Sequence, residues 1–420
     1  MTIQTAKRPS AFLINTFSAF RSRNFRLYFS GRLVSQIGTW MQRTSVSWLV
    51  FTMTHSSLML GVSAFASQFP SFLFSLFGGV ISDRYSKKRI LLITQTASML
   101  QAVLMAALVI SKQYNVWEIL FLSTLLGIIN AFDSPARQSM INDIIDTKDD
   151  LPNALALTSS INNFSRLIGP AIAGLVLLKF GSGFCFLLNA ISFAAVLLSL
   201  LMIRWPAYLP AITKKKMSAD LLDGFRYLRN TPNISLSILM LALISLLVLP
   251  YNTLLPIFAR VVYKGDAATF GYLNSFIGLG AIAGLMFLAS LKPGANLKMV
   301  LLFNTISMGI CMILFSLSNS FLLAMIFATI GSFGMTSQTT ISNTIVQGQA
   351  SSEMRGRVVS ILLMAYFGML PLGSMLVGII AQKIGAQHTV FCQGILALFI
   401  IAGFFKYLTN KDIDILPVAN

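Results

Sequence analysis

Apolar residues in this chain run in stretches of roughly twenty or more, each long enough to cross a ~30 Å hydrocarbon layer as a helix. Polar breaks divide them into twelve predicted helices. Six cover 26–52, 57–81, 89–111, 116–140, 153–178 and 183–203, and six more cover 233–259, 269–290, 298–318, 321–346, 357–382 and 387–408. Between the sets lies a polar segment from Trp205 to Pro232 that includes Lys214, Lys215 and Lys216. Within it Leu221, Leu222, Phe225 and Leu228 recur at helical spacing, which predicts an amphipathic helix along the membrane surface. The pattern therefore predicts an all-α polytopic membrane protein: a six-helix bundle over 1–204, a linker over 205–232 and a second six-helix bundle over 233–420. Paired halves are the plan of transporters built from structural repeats. A faint internal echo agrees, since Gly174, Lys179 and Gly181 match Gly378, Lys383 and Gly385 at one constant offset.

Composition removes the soluble alternatives. Of 420 residues, 55% are hydrophobic and only 10% charged, against about a quarter charged in ordinary domains. Mean hydropathy is +0.76, and too little charge remains to coat a soluble surface. The net charge of +18 then reads as the basic bias of cytoplasmic loops, not as a nucleic-acid footprint. Cys185, Cys311 and Cys392 lie in apolar runs without metal-like spacing and are expected to be inert packing residues. Neither a metal nor a cofactor is expected. Residues 1–24 lack a small-residue cleavage site and lead straight into the first helix, so no signal peptide is expected.

Lys and Arg gather on alternate connections. Lys7, Arg8, Arg21, Arg23, Arg84, Lys87, Lys88, Arg89, the three linker lysines, Arg226, Arg229, Arg355 and Arg357 fall on one side. Lys112, Lys179, Arg260, Lys264 and Lys383 are the chief basic residues of the other. This asymmetry predicts cytoplasmic termini and a cytoplasmic linker.

Arg32, Arg43, Asp133, Arg137 and Arg166 fall inside predicted helices. Each costs about 3 kcal/mol at a helix centre, while a Leu or Ile returns only about 0.3–0.6 kcal/mol. Such residues are expected to face a polar cavity or a partner. At about 100° per residue, Arg32, Gln36, Thr39, Arg43 and Ser47 share one sector of the first helix. Ser159, Asn162, Asn163, Arg166 and Pro170 share a face of the fifth, and Asp133 and Arg137 form an i, i+4 pair in the fourth. A hydrated central cavity explains all three stripes. Arg32 and Arg137, near helix ends, have the simpler alternative of reaching to the interface, and Asp133–Arg137 that of a structural or gating ion pair. The later helices carry amides and aromatics instead, among them Tyr251, Asn252, Asn274, Gln338, Asn343 and Tyr366, with Pro250, Pro256 and Pro371 able to kink them. Candidate cavity residues are thus Arg43, Arg166, Gln36, Trp40, Asn162, Asn163, Tyr251, Asn252 and Gln338.

Excess positive charge in such a cavity favours an anionic small molecule over a lipophilic cation. Proton coupling needs a group that changes protonation, and Asp133 is the one deeply placed acid. The expected partners are an anionic substrate, protons and the lipid bilayer, with no nucleic acid, and a monomer is expected.

Gly79, Asp83, Arg84, Lys87 and Lys88, in GGVISDRYSKKRIL, resemble motif A of the major facilitator superfamily, with Ser86 where a glycine is usual. Arg166-Leu167-Ile168-Gly169-Pro170-Ala171-Ile172-Ala173-Gly174 resembles motif C, the Gly-Pro signature associated with proton-coupled exporters. Asp133-Ser134-Pro135-Ala136-Arg137-Gln138, Leu151-Pro152-Asn153-Ala154 and Gly38-Thr39-Trp40-Met41-Gln42-Arg43 resemble the branch that contains the enterobactin exporter and macrolide efflux proteins. The resemblance implies a multi-pass secondary transporter of a bacterial inner membrane, working by proton-driven export of a siderophore or drug. It permits import as well. By the same resemblance Gly79, Asp83, Arg84, Lys87, Lys88, Arg137, Gly169, Pro170 and Gly174 belong to the gating apparatus. Gly79 is expected to let helices approach closely between the two halves, and Asp83 to latch against the helix start near Ser352–Gly356.

Other classes lack their chemistry. No G-x-x-x-x-G-K-[ST] nucleotide loop, H-E-x-x-H or G-x-S-x-G occurs, and the two histidines, His55 and His388, fall near the outer face, so an enzyme is not expected. A multidrug or macrolide pump, a siderophore importer and a lysophospholipid flippase remain alternatives, the last because an amphiphilic anion also suits an arginine-lined cavity.

Overall fold

The computed structural model describes residues 17–206, 217–292 and 294–409. Twelve long helices make up most of them. The first six are α1 (Arg23–Thr54), α2 (Ser57–Arg84), α3 (Lys87–Ser111), α4 (Val116–Ile144), α5 (Leu151–Phe180) and α6 (Ser182–Met202). After a linker helix, Met217–Asn230, come α7 (Pro232–Leu247), α8 (Ala267–Ser290), α9 (Leu297–Leu317), α10 (Phe321–Gln349), α11 (Arg355–Ile384) and α12 (Ala386–Gly403). The linker lysines 214–216, like Lys7 and Arg8, lie outside the described residues.

Helix ends follow local chemistry. Ser22 and Ser56 cap α1 and α2 by accepting from the N–H of Phe25 and Met59. Asn115 with Glu118 and Asp266 with Thr269 form reciprocal caps on α4 and α8. Where Pro250 and Pro256 withdraw backbone donors, α7 gives way to a 3₁₀ turn (Leu249–Leu254) and a π turn (Phe258–Val262). Eleven spans among the described residues are long and apolar enough to cross a membrane. The exception is α1, whose polar stripe lowers its hydropathy; it is shielded instead by packing along α5 and α6.

Within the first six helices α2 packs on α4, α1 on α5 and α6, and α3 on α4 and α6. Within the last six, α10 packs on α8 and α9, α9 on α12, and α7 on α11. Two crossings join the sets, α2 with α11 and α5 with α8, and both are built on glycine. A Cβ on Gly61 would lie 2.7 Å from the Ser374 carbonyl oxygen and 3.1 Å from the Gly378 Cα. A Cβ on Gly174 would lie 2.9 Å from the Ala267 carbonyl oxygen and 3.1 Å from the Gly271 Cα. The echo in the sequence has a structural meaning here. Gly174 and Gly378 hold equivalent places in the two crossings, and Gly181 and Gly385, at φ +81 and +87, end α5 and α11.

The α2–α11 contact is confined to one end. Ser56 Oγ donates to Gln382 Oε1 at 2.9 Å, and Phe72 meets Gly368 further along. Toward the end that carries the 84–89 basic loop, Gly79 and Gly356 both face open space. This corrects the expectation for Gly79. The close approach belongs to Gly78, where a Cβ would overlap the Ala131 carbonyl, and it joins α2 to α4 within the first set.

The linker helix does not rest on lipid alone. Leu228 is buried with Ile234, Val358, Ile361 and Leu362, a Cβ on Gly224 would press on Ile361, and Arg357 of α11 pairs with Asp223 at 3.2 Å. Part of its covered face therefore goes to α11. Cys185 and Cys311 are buried, whereas Cys392 is exposed on α12.

Valine at the two adjacent glycines separates these roles. Gly78→Val should cost about 1–3 kcal/mol by overpacking and lower the melting temperature in detergent. Gly79→Val should leave that temperature unchanged.

Candidate functional site

The polar stripes of α1 and α5 lie against each other. Gly169 permits this, because a Cβ there would lie 2.6 Å from Trp40 Cβ and 3.2 Å from the Ile37 carbonyl oxygen. Gln36 Nε2 donates to Asn162 Oδ1 at 2.8 Å, tying the stripes together. Two turns along α1, Arg43 is exposed and its guanidinium sits 5.0 Å from the centre of the Trp40 ring, a cation–π contact that also holds the side chain in one orientation. Arg166 of α5 is half-buried.

Arg43 and Arg166 lie within electrostatic range of each other and of Tyr366 on α11, and Arg166 also of Tyr251 beyond α7. Among the described residues, no carboxylate pairs with either arginine. Two guanidiniums of the first set thus lie close enough to influence each other, with no acid paired to either among the described residues. Like charges held together in a weakly polar space create a site for an anion.

The second polar centre is inside the first six helices. Asp133 is 1% exposed. Its Oδ2 is ion-paired with Arg137 one turn on, and its Oδ1 accepts from Thr94 Oγ1 at 2.9 Å and Gln95 Nε2 at 2.6 Å, both on α3. A buried carboxylate is tolerable only with such complete pairing. Arg32 of α1 faces the same region, sharing a narrow void with Tyr28, Gln95 and Arg137.

At the basic loop, Lys87 is held by Asp143 of α4 at 2.7 Å and donates to the Ser139 carbonyl at 3.2 Å. Asp83 is exposed and makes no ion pair among the described residues. The expected latch to residues 352–356 is not formed in this conformation, because α2 and α11 have separated there. Arg84 is exposed and Lys88 half-buried beside it. Pro170 and Gly174 lie at the α5–α8 crossing, the Pro170 carbonyl meeting Gly271.

Other predicted cavity residues fall elsewhere. Gln338 is fully buried and donates to Thr305 on α9, so it braces α10 and does not line the cavity. Tyr251 is buried edge-on against Phe315. Asn163 is spent on the Ser159 carbonyl of its own helix. Asn252 is half-buried with its Oδ1 unpartnered, and Trp40 Nε1 is likewise unpartnered.

A buried amide chain escaped sequence reading. Asn189 Nδ2 donates to Gln42 Oε1 at 2.6 Å, Gln42 Nε2 to Gln101 Oε1 at 3.0 Å, and Gln101 Nε2 to the Leu122 carbonyl at 3.1 Å. It ties α6, α1, α3 and α4 together beneath the cavity. Lone amides in apolar stretches were its only trace in the sequence.

A family model described as a transmembrane secretion effector matches residues 14–418. The staphyloferrin A transporter of Staphylococcus aureus is 29% identical, over 93% of this chain and 97% of its own. The enterobactin exporter EntS of Shigella boydii is 24% identical, over 80% of this chain and 79% of its own. Among solved structures, the nucleoside transporter NupG superposes with a TM-score of 0.72 at 12% identity, over 93% of this chain and all of its own (100%), a likeness of fold alone.

Asn189→Ala would strand the Gln42 carbonyl oxygen in the interior. The expected cost is about 1–3 kcal/mol, read as a lower melting temperature in detergent, with cavity binding unchanged.

Proposed function

The chain belongs to the transmembrane secretion effectors of the major facilitator superfamily, multi-pass secondary transporters with siderophore and drug efflux relatives, and on that premise we propose that it exports an anionic siderophore in exchange for protons. The observation that carries this reading is the Arg43–Arg166 pair: the two guanidiniums lie within electrostatic range of each other, and among the described residues no carboxylate pairs with either. Carboxylates or catecholates accept from guanidinium and phenol alike. The enterobactin exporter EntS and the staphyloferrin A transporter are relatives that fit such cargo. Residues 1–204 and 233–420 act as rocking halves, with termini, linker and basic loop in the cytoplasm, where basic residues concentrate.

On this reading the cavity faces the cytoplasm in the present conformation, ready to load. Rocking brings the basic ends of α2 and α11 together, and Asp83 then meets the start of α11. Asp133 carries the proton. Protonation cancels its attraction for Arg137 and makes the alternative packing of α4 accessible.

Uptake of labelled enterobactin and staphyloferrin A into inverted vesicles tests the proposal. Arg43→Gln and Arg166→Gln should each weaken apparent affinity about tenfold or more. Asp133→Asn should abolish stimulation by a pH gradient. With neither siderophore transported, uptake of lysophospholipid would overturn the siderophore assignment, and uptake of hydrophobic cations would overturn the anion assignment itself.

A further inference from the structure

Asp133 has one guanidinium partner, Arg137, and a second guanidinium, Arg32, lines a void together with that partner. Arg32 projects from α1 into a void with about 10 Å³ open to the centre of a water molecule, room for roughly one. Its walls include Tyr28, Gln95 and Arg137, closed by Leu91, Val196 and Leu200. Arg32 makes no ion pair among the described residues. Two groups there are buried and unsatisfied: Tyr28, 1% exposed, has no partner for its hydroxyl, and Gln95, 3% exposed, none for Oε1. The same Gln95 amide donates through Nε2 to Asp133 Oδ1 at 2.6 Å. Gln95 therefore touches the carboxylate with one end and presents a bare acceptor toward Arg32 with the other.

We propose that Arg32 is the alternate partner of the Asp133 carboxylate, taking over from Arg137 when α1 and α4 shift in the transport cycle, with Gln95 guiding the exchange. This rests on the proton-coupled reading of Asp133 and deepens it. Charge makes the exchange economical. Two cations and one anion share a space that cannot hydrate all three, so the carboxylate serves whichever guanidinium the conformation brings closer, and the other turns toward the void or the mouth. A proton reaching Asp133 between partners meets the carboxylate at its least stabilised. The titratable and charged groups that face it are Tyr28 and Arg32 from α1 and Arg137 from α4. On α3 it meets uncharged Thr94 and Gln95, α6 offers the apolar Val196 and Leu200, and α2 meets α4 through Gly78 and Ser82. Arg32 is a positioning residue: it acts on the proton site and not on the cargo.

The test is a double-mutant cycle on the purified full-length protein, read by infrared titration of the protonated carboxyl band without substrate. Asp133→Asn identifies the band. If either guanidinium suffices, Arg32→Gln and Arg137→Gln should each move the midpoint to higher pH by less than about one unit, and the double variant by about two or more. Arg32→Lys should restore the wild-type midpoint in the Arg32 series. Arg32→Met, apolar and of similar length, replaces Arg32→Gln if the latter does not fold. Overturning results are a full shift from Arg137→Gln alone, or strict additivity. A carboxyl band absent between pH 5 and 9, or unaffected by Asp133→Asn, would sink the proton-coupled reading itself. A band that responds to Asp133→Asn but that Arg32→Gln leaves unmoved even in the Arg137→Gln background would sink only the partner exchange.

Discussion

A charge inside a hydrocarbon layer must meet either a partner or water, and this constraint organises the molecule. Arg32, Arg43, Asp133, Arg137 and Arg166 lie well inside the first six helices, each costing about 3 kcal/mol if left bare. Two different solutions coexist. Asp133 is sealed among α3 and α4 side chains that satisfy both of its oxygens. Arg43 and Arg166 lie within electrostatic range of each other and pair with no acid among the described residues. The low hydropathy of α1 follows from the same bargain. It carries Arg32, Gln36, Gln42 and Arg43 because α5 and α6 cover it and the Gln36–Asn162 and Gln42–Asn189 bonds satisfy its amides.

The second constraint is how the two sets of helices touch. Both crossings depend on glycine pairs in which one backbone lies against another, Gly61 with Gly378 and Gly174 with Gly271. Small, flat contacts of this kind let rigid bundles pivot without disturbing large side chains. Toward the basic loop, Gly79 and Gly356 are left in open space. Fold and transport therefore meet in a few glycines. The amide chain of Asn189, Gln42 and Gln101 ties α6, α1, α3 and α4 together at one level of the first set.

Much of this was legible in the residues. Ten of the twelve predicted helices begin and end within about four residues of their observed limits, because long apolar runs bounded by Ser, Asn, Asp and Pro leave few choices, while the seventh gives way at Leu247, ahead of Pro250. The twelfth breaks earlier, at Gly403. The Asp133–Arg137 pair was readable from i, i+4 spacing, and the α1–α5 stripes from helical periodicity. What the pattern misread shares one cause. Gly79 and Gly78 are adjacent and look alike in sequence, but about 100° of helical rotation sends one to open space and the other into Ala131. Gln338 resembles a cavity amide until Thr305 is found opposite it on α9. The linker helix shows an apolar face whether lipid or α11 covers it.

The sequence by itself determined the class, the number and length of the helices, and which residues carry charge into the membrane, since these depend on local hydropathy and periodicity. Only tertiary structure decided which of those charges are partnered, which amides close on each other, and at which end the two sets of helices part. Those outcomes depend on which faces meet across helices far apart in the chain, a relation that one-dimensional spacing does not contain.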